Sequence, residues 1–204
     1  MESVSQFLHA MIGERPVEIA AFLLGIANIV LLARRSIWNY PFGIVMVSLY
    51  GWVFFGAKLY SDVLLQAFFF LAQLYGWAHW LKRRDEQGLI IVARLSPRAA
   101  LAYGLGGAAG IAALGGVMSA HTDASFPYWD ASVASLSVIA QILLARRRLE
   151  NWLVWILVDA LAIGLYWTKG LYPTAALYAL FLIIAANGYV GWRRAWVRGE
   201  LISA

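Results

Sequence analysis

Seven apolar runs, at about 16–33, 38–57, 62–81, 99–119, 128–145, 151–168 and 172–192, take up most of this chain of 204 residues. A hydrocarbon core about 30 Å thick needs roughly 20 residues of α-helix to cross it, and each run is long enough, the shorter ones at the low end of the range. The composition agrees, since 62% hydrophobic and 13% charged residues do not describe a soluble surface. The expected fold class is therefore all-α: a polytopic membrane protein with seven transmembrane helices. Residues 1–15 place Val4, Phe7, Leu8, Met11 and Ile12 at helical spacing, a stripe too short to cross. It reads as an amphipathic exterior segment lying on the membrane surface. Glu2, the lack of a basic n-region and the lack of a small-residue cleavage site argue against a cleavable signal peptide, so the first span itself directs insertion.

The runs repeat at an offset of 112 residues. Leu31-Leu32-Ala33-Arg34-Arg35 returns as Leu143-Leu144-Ala145-Arg146-Arg147, Asn39 as Asn151, Leu59-Tyr60 as Leu171-Tyr172, and Gly76-x-x-x-Trp80 as Gly188-x-x-x-Trp192. An offset that passes through four spans brings the chain back to the same side, so the two halves are parallel. The expected plan is 3+1+3: a first three-helix repeat at 16–81, a connector helix at 99–119 and a second three-helix repeat at 128–192. Internal repeats at this scale occur in membrane transporters, whose substrate sites lie between the repeats near the bilayer midplane. The connector holds Gly104, Gly106, Gly107, Gly110, Gly115 and Gly116, and its Gly106-x-x-x-Gly110 spacing predicts close helix packing.

Lys and Arg accumulate in cytoplasmic loops and so decide orientation. Arg34, Arg35, Lys82, Arg83, Arg84, Arg94, Arg98, Arg146, Arg147, Arg148, Arg193, Arg194 and Arg198 fall on one side, against Arg15, Lys58 and Lys169 on the other. The N-terminus is expected outside and the C-terminus in the cytoplasm. Segment 82–98 is then a cytoplasmic loop with room for a short surface helix, 120–127 an exterior loop and 193–204 a cytoplasmic tail. The net charge of +5 comes from these loops and not from one basic face, so the lipid bilayer, and no nucleic acid, is the expected surroundings. Trp38, Trp80, Trp152, Trp167 and Trp192 stand at span ends, where amphipathic rings prefer the headgroup level.

Ionisable and amide groups are costly inside a bilayer, which makes each one a functional candidate. Asp159 lies eight residues beyond Asn151, hence ~12 Å along the helix and near the middle of the core. At ~100° per residue Asn151, Trp155, Asp159, Ala162 and Tyr166 share a sector about 80° wide. In the third span Gln66, Phe70, Gln73, Trp77 and Trp80 share a face, with Gln73 near the midplane. Two amides among aromatic rings suit a flat, polar, hydrogen-bonding ligand. Asp130, Ala134, Ser137 and Gln141 share a face of the fifth span, with Asp130 at the outer mouth. Asn39, Gly43, Met46 and Tyr50 occupy the face of the second span that corresponds to the Asp159 sector, but Val47 stands where the acid would be. The second half is therefore expected to contribute more. Asn28 and Asn187 are isolated amides and read as packing residues.

Enzyme chemistry fits poorly. His9, His79 and His121 have no paired acid at metal-ligand spacing, an aspartyl dyad needs a second acid at depth, and no cysteine is present for thiol chemistry or iron–sulfur clusters. A retinal protein needs a lysine deep in a span, whereas Lys58, Lys82 and Lys169 lie at ends or in loops. No cofactor is expected. A midplane acid can bind a proton or sodium ion, but Asp159 has no second charged partner at depth, which favours facilitation over ion coupling.

The motifs also resemble a known family. Trp38-Asn39-Tyr40-Pro41-Phe42-Gly43, Lys58-Leu59-Tyr60-Ser61-Asp62 and Gln66 through Gln73-Leu74-Tyr75-Gly76-Trp77 with Trp80 are similar to the first-half signature of the PnuC nicotinamide riboside transporters. Gln141, Glu150-Asn151-Trp152, Trp155, Asp159, Tyr166, Lys169-Gly170-Leu171-Tyr172 and Tyr178 resemble the second half more closely, and the likeness covers roughly 16–196. The resemblance implies a bacterial inner-membrane carrier with a 3+1+3 plan similar to the SWEET proteins. It implies import of nicotinamide riboside, an NAD precursor, by facilitated diffusion, with trapping by a cytoplasmic riboside kinase and assembly as a homo-oligomer such as a trimer. Family members carry other vitamins, so an ion-coupled carrier of thiamine or riboflavin is the alternative. The substrate-binding set expected is Gln66, Gln73, Trp77, Gln141, Asn151, Trp155, Asp159, Tyr166, Tyr178, Asn39 and Tyr50, with Gln73 and Asn151 as hydrogen-bonding groups and Trp77 and Trp155 as ring partners.

Overall fold

The computed structural model of the chain describes residues 16–56, 60–82 and 91–203. The expected surface segment 1–15 and most of the basic stretch after Lys82 lie outside them. Seven helices follow in order: α1 (Pro16–Ala33), α2 (Asn39–Gly56), α3 (Tyr60–Leu81), α4 (Pro97–His121), α5 (Pro127–Ala145), α6 (Asn151–Thr168) and α7 (Tyr172–Ser203). Among the described residues there is no named strand, and α4 to α7 are long and apolar enough to cross a membrane by length and composition. The boundaries follow the apolar runs because a backbone without water must bond to itself, and a helix does so within one segment. The last helix departs from expectation. It runs on through Arg193, Arg194 and Arg198 to Ser203, so most of the expected tail is helical. With 32 residues at ~1.5 Å each, α7 is longer than a core of about 30 Å.

The chain divides into two compact units, Met1–Ile90 and Ile91–Ala204. In the first, α1 packs on α2 and α2 on α3; in the second, α4 packs on α5, α5 on α6 and α6 on α7. The connector therefore belongs with the second half. Its start is well defined, with Ser96 as N-cap accepting from the Ala99 N–H at 3.3 Å and Pro97 in the first turn. Glycines bring it close to α5: a Cβ on Gly107 would come 2.9 Å from Ile139 Cδ1, and one on Gly110 3.2 Å from Ser135 Oγ. Gly106 faces open space. The close approaches are thus at Gly107 and Gly110, one residue off the spacing read from the sequence, and at Gly115, which lies under the Tyr128 ring.

The repeat is local structure as well as sequence. At the end of α1, Ser36 donates to Leu31 O and Arg35 to Leu32 O, both at 2.9 Å; at the end of α5, Arg148 donates to Leu143 O at 2.9 Å and Arg147 to Leu144 O at 2.8 Å. Both are Schellman turns, which need a left-handed residue that is usually glycine. Here arginines take it, Arg35 at φ 59° and Arg147 at φ 60°. Each accepts a strain of about 1 kcal/mol. The asparagine four residues on caps each turn from its side chain, Asn39 Nδ2 to Ser36 O at 2.7 Å and Asn151 Nδ2 to Arg148 O at 2.6 Å. Next to them Tyr40 meets Trp80 edge to face at 5.0 Å, and Trp152 meets Trp192 at 5.7 Å. All four rings are buried.

Candidate functional site

In the second unit α6 turns Asn151, Trp152, Val158, Asp159, Ala162 and Leu165 inward between α5 and α7. Asp159 is 4% exposed. Tyr166 of α6 and Tyr178 of α7 stack at 5.3 Å with 28° between planes, and Phe181 meets Tyr178 edge-on at 5.8 Å. Asp159 lies within electrostatic reach of Tyr178. Asp159 and Tyr166, seven residues apart, fall on one side of α6, the side on which Tyr166 meets Tyr178. Trp155 is half-buried on the same helix, and Gln141 of α5 is buried. Ser137 turns its hydroxyl back to Val133 O at 2.7 Å.

Other predicted residues have structural duties. Asn151 is fully buried with its amide nitrogen engaged on the turn, while its Oδ1 has no partner among the described residues. Asn39 braces the equivalent turn in the same way. Asp130 is held by Lys169, whose Nζ lies 2.7 and 2.9 Å from its two oxygens, so α5 and α6 are stapled at that end. Trp129 was missed by sequence reasoning. Its Nε1 donates to Leu161 O at 2.9 Å, and a Cβ on Gly164 would come 2.8 Å from its ring. A lone glycine within α6 was the available signal, but it does not say which ring rests on it.

In the first unit Asn28 donates to Asn39 O at 2.6 Å, and the amides of Asn28 and Gln73 lie over Gly43. A Cβ on Gly43 would collide with Gln73 Nε2 and come 2.7 Å from Asn28 Nδ2. Gln73 is buried, Gln66 and Trp77 are half-buried, and Tyr50 stacks on Phe54 at 5.7 Å. Trp80 turns into the core against Tyr40. Asn28 packs as expected, and Asn187 bonds Ile183 O within its own helix at 2.9 Å. Offsetting by 112 residues exposes an exchange: Asn28, Gly43 and Gln73 correspond to Ala140, Trp155 and Ala185. Two amides around a glycine in one half become an indole with two alanines in the other.

Among the described residues, apolar helices with internally repeated turns bury one carboxyl group and hold a half-buried pair of tyrosines, an arrangement that suits a polytopic membrane transporter. A family model described as nicotinamide mononucleotide transporter matches residues 15–194. The nicotinamide riboside transporter PnuC of Escherichia coli is 30% identical over 201 residues, covering 86% of this chain and 84% of that protein. The riboflavin/roseoflavin transporter RibM of Streptomyces davaonensis is 28% identical, covering 87% of this chain and 83% of that one. A crystal structure of the vitamin B3 transporter PnuC matches with a TM-score of 0.73 at 25% identity, over 96% of this chain and 88% of the other. The chain belongs to the nicotinamide mononucleotide transporter family, and is a multi-pass membrane transporter rather than an enzyme.

Proposed function

We propose that this protein carries nicotinamide riboside across the bacterial inner membrane by facilitated diffusion, N-terminus outside and C-terminus cytoplasmic, working as a homo-oligomer. A cytoplasmic kinase traps the substrate by phosphorylation. The observation that carries the substrate is the buried Asp159 on the helix that also supplies Tyr166 to the Tyr166–Tyr178 stack. The riboside carries a flat, cationic pyridinium ring. A carboxylate balances its charge, and aromatic faces attract it by about 1–2 kcal/mol. Riboflavin, named for one relative, has an uncharged ring and gains nothing from an acid there. Trp155 is the further ring partner, with Gln141 as the amide that meets carboxamide and hydroxyls. The test is a titration of purified protein with nicotinamide riboside, thiamine and riboflavin, read by the fluorescence of its ten tryptophans. Tighter binding of thiamine or riboflavin than of the riboside defeats the proposal.

Two further results are expected. Intact mononucleotide is not taken up by proteoliposomes, because its phosphate meets no lysine or arginine at depth, where an unpaired charge is expensive. Uptake of labelled mononucleotide at a rate near that of the riboside overturns this site. A reporter fused after Ala204 lies in the cytoplasm and one inserted in 121–127 lies outside; both on one side refutes the seven-span topology.

A further inference from the structure

The segment that leads into α4 is tied to the second unit by contacts that substrate binding leaves unexplained. Ala93 donates to Arg147 O at 3.0 Å and accepts from the Leu149 N–H at 2.9 Å, a parallel bridge centred on Arg148. Arg147 and Arg148 each donate from Nη1 at 2.8 Å, to Ile91 O and Arg94 O respectively. Glu150 closes the arrangement: one oxygen accepts from Arg94 Nε at 3.1 Å and the other from the Leu95 N–H at 3.0 Å. The Arg94 guanidinium also lies over the Trp196 ring of α7, 5.1 Å from its centroid. Val92 and Leu149 are buried within this strap.

Glu150 stands at the point where the strap meets α6. It directly precedes Asn151, the first residue of the helix that carries Trp155, Asp159 and Tyr166. An exposed ion pair alone contributes little. Here the carboxylate also satisfies a backbone N–H, which fixes the register of residues 91–96 on the α5–α6 turn. The corresponding position of the first repeat holds Trp38, 62% exposed, so that turn offers no carboxylate there.

We infer that Glu150 is a positioning residue for transport: by holding residues 91–96 on the α5–α6 turn it sets the first turn of α6, and through it the groups that meet substrate. This rests on the reading that α6 carries the substrate site. The chain has no cysteine, so a reversible chemical bridge can take the place of the carboxylate. The full chain with Arg94→Cys and Glu150→Cys, in proteoliposomes, is expected to carry nicotinamide riboside about fivefold slower than the parent when reduced, a loss in the range of couplings carried by packed networks. Bridging with a short bis-methanethiosulfonate restores the rate, and reduction removes it again. The same molecules are measured before and after, so a folding defect does not produce the reversal. Equal rates in the bridged and reduced states overturn the inference. If the double variant does not fold, Glu150→Gln decides: a rate about threefold below the parent at unchanged substrate affinity supports the role, and a parental rate overturns it. Failure of the site reading looks different, since Asp159→Asn is then silent while the bridge still switches the rate.

Discussion

Asp159→Asn is expected to weaken binding of nicotinamide riboside by roughly ten- to hundredfold while leaving the uncharged dihydronicotinamide riboside within about twofold. A hydrogen bond or contact involving a charged group contributes about 1.5–3 kcal/mol, and each 1.4 kcal/mol is tenfold in affinity. The substitution keeps the shape of the side chain and removes its charge, at the cost of turning one acceptor oxygen into a donor, so a neutral ligand of nearly the same outline has little to lose. Asp159 is buried between packed helices, where water does not screen the attraction and the effect is larger than at a surface. Gln141→Ala behaves differently and weakens both ligands, because this buried amide is proposed to serve uncharged groups present in each. Fluorescence titration of the two variants with the two ligands gives the four numbers required. Equal binding of both ligands by folded Asp159→Asn and by the parent makes Asp159 a packing residue.

The second large effect concerns stability. A Cβ on Gly188 would come 2.6 to 2.8 Å from three atoms of the Trp152 ring, and one on Gly76 would come 2.5 to 2.9 Å from the Tyr40 ring and hydroxyl. Neither ring can retreat, since each is buried and locked edge to face, Trp152 on Trp192 and Tyr40 on Trp80. Gly188→Ala and Gly76→Ala are each expected to cost about 1–3 kcal/mol by overpacking, roughly 2–12 °C in melting temperature for a chain of this size. Gly106→Ala is the control. Nothing lies within 4 Å of its added Cβ, so it should melt with the parent. Combining Gly188→Ala with Trp152→Phe should recover part of the loss, because the added methyl meets the benzo edge that phenylalanine lacks. If Gly188→Ala melts with Gly106→Ala, the helices adjust freely at that contact and overpacking costs nothing there.

The repeat makes these two glycines equivalent, and that equivalence is legible in the order of residues alone. Gly76-x-x-x-Trp80 and Gly188-x-x-x-Trp192 stand 112 residues apart, as do Arg35 and Arg147, and the structure gives both arginines the same left-handed backbone. Helix positions are equally legible, because a bilayer admits few solutions for a long apolar segment and the apolar runs mark them. The Asp159 sector of α6 follows from angular spacing alone, and three of its residues, Asn151, Asp159 and Ala162, are buried while Trp155 and Tyr166 are half-buried.

Spacing does not say what covers a face, and there the tertiary structure decided. Asn151 shares a sector with Asp159, yet its nitrogen is engaged on the Arg148 carbonyl, because the chain reverses into a turn just before it. Trp80 shares a face with Gln73, yet it turns to Tyr40, where Gly76 leaves room for a ring. The packing of α4 with α5, and the tie from Glu150 to Arg94 and Leu95, join residues far apart in sequence. The sequence alone determined that there would be helices, how many, and which half holds the acid, because these follow from hydrophobicity and periodicity along one segment. Which amides brace turns, which rings close the core and where Gly43 seats two amides depended on how neighbouring helices approach, since close approach is a property of pairs of positions on different helices.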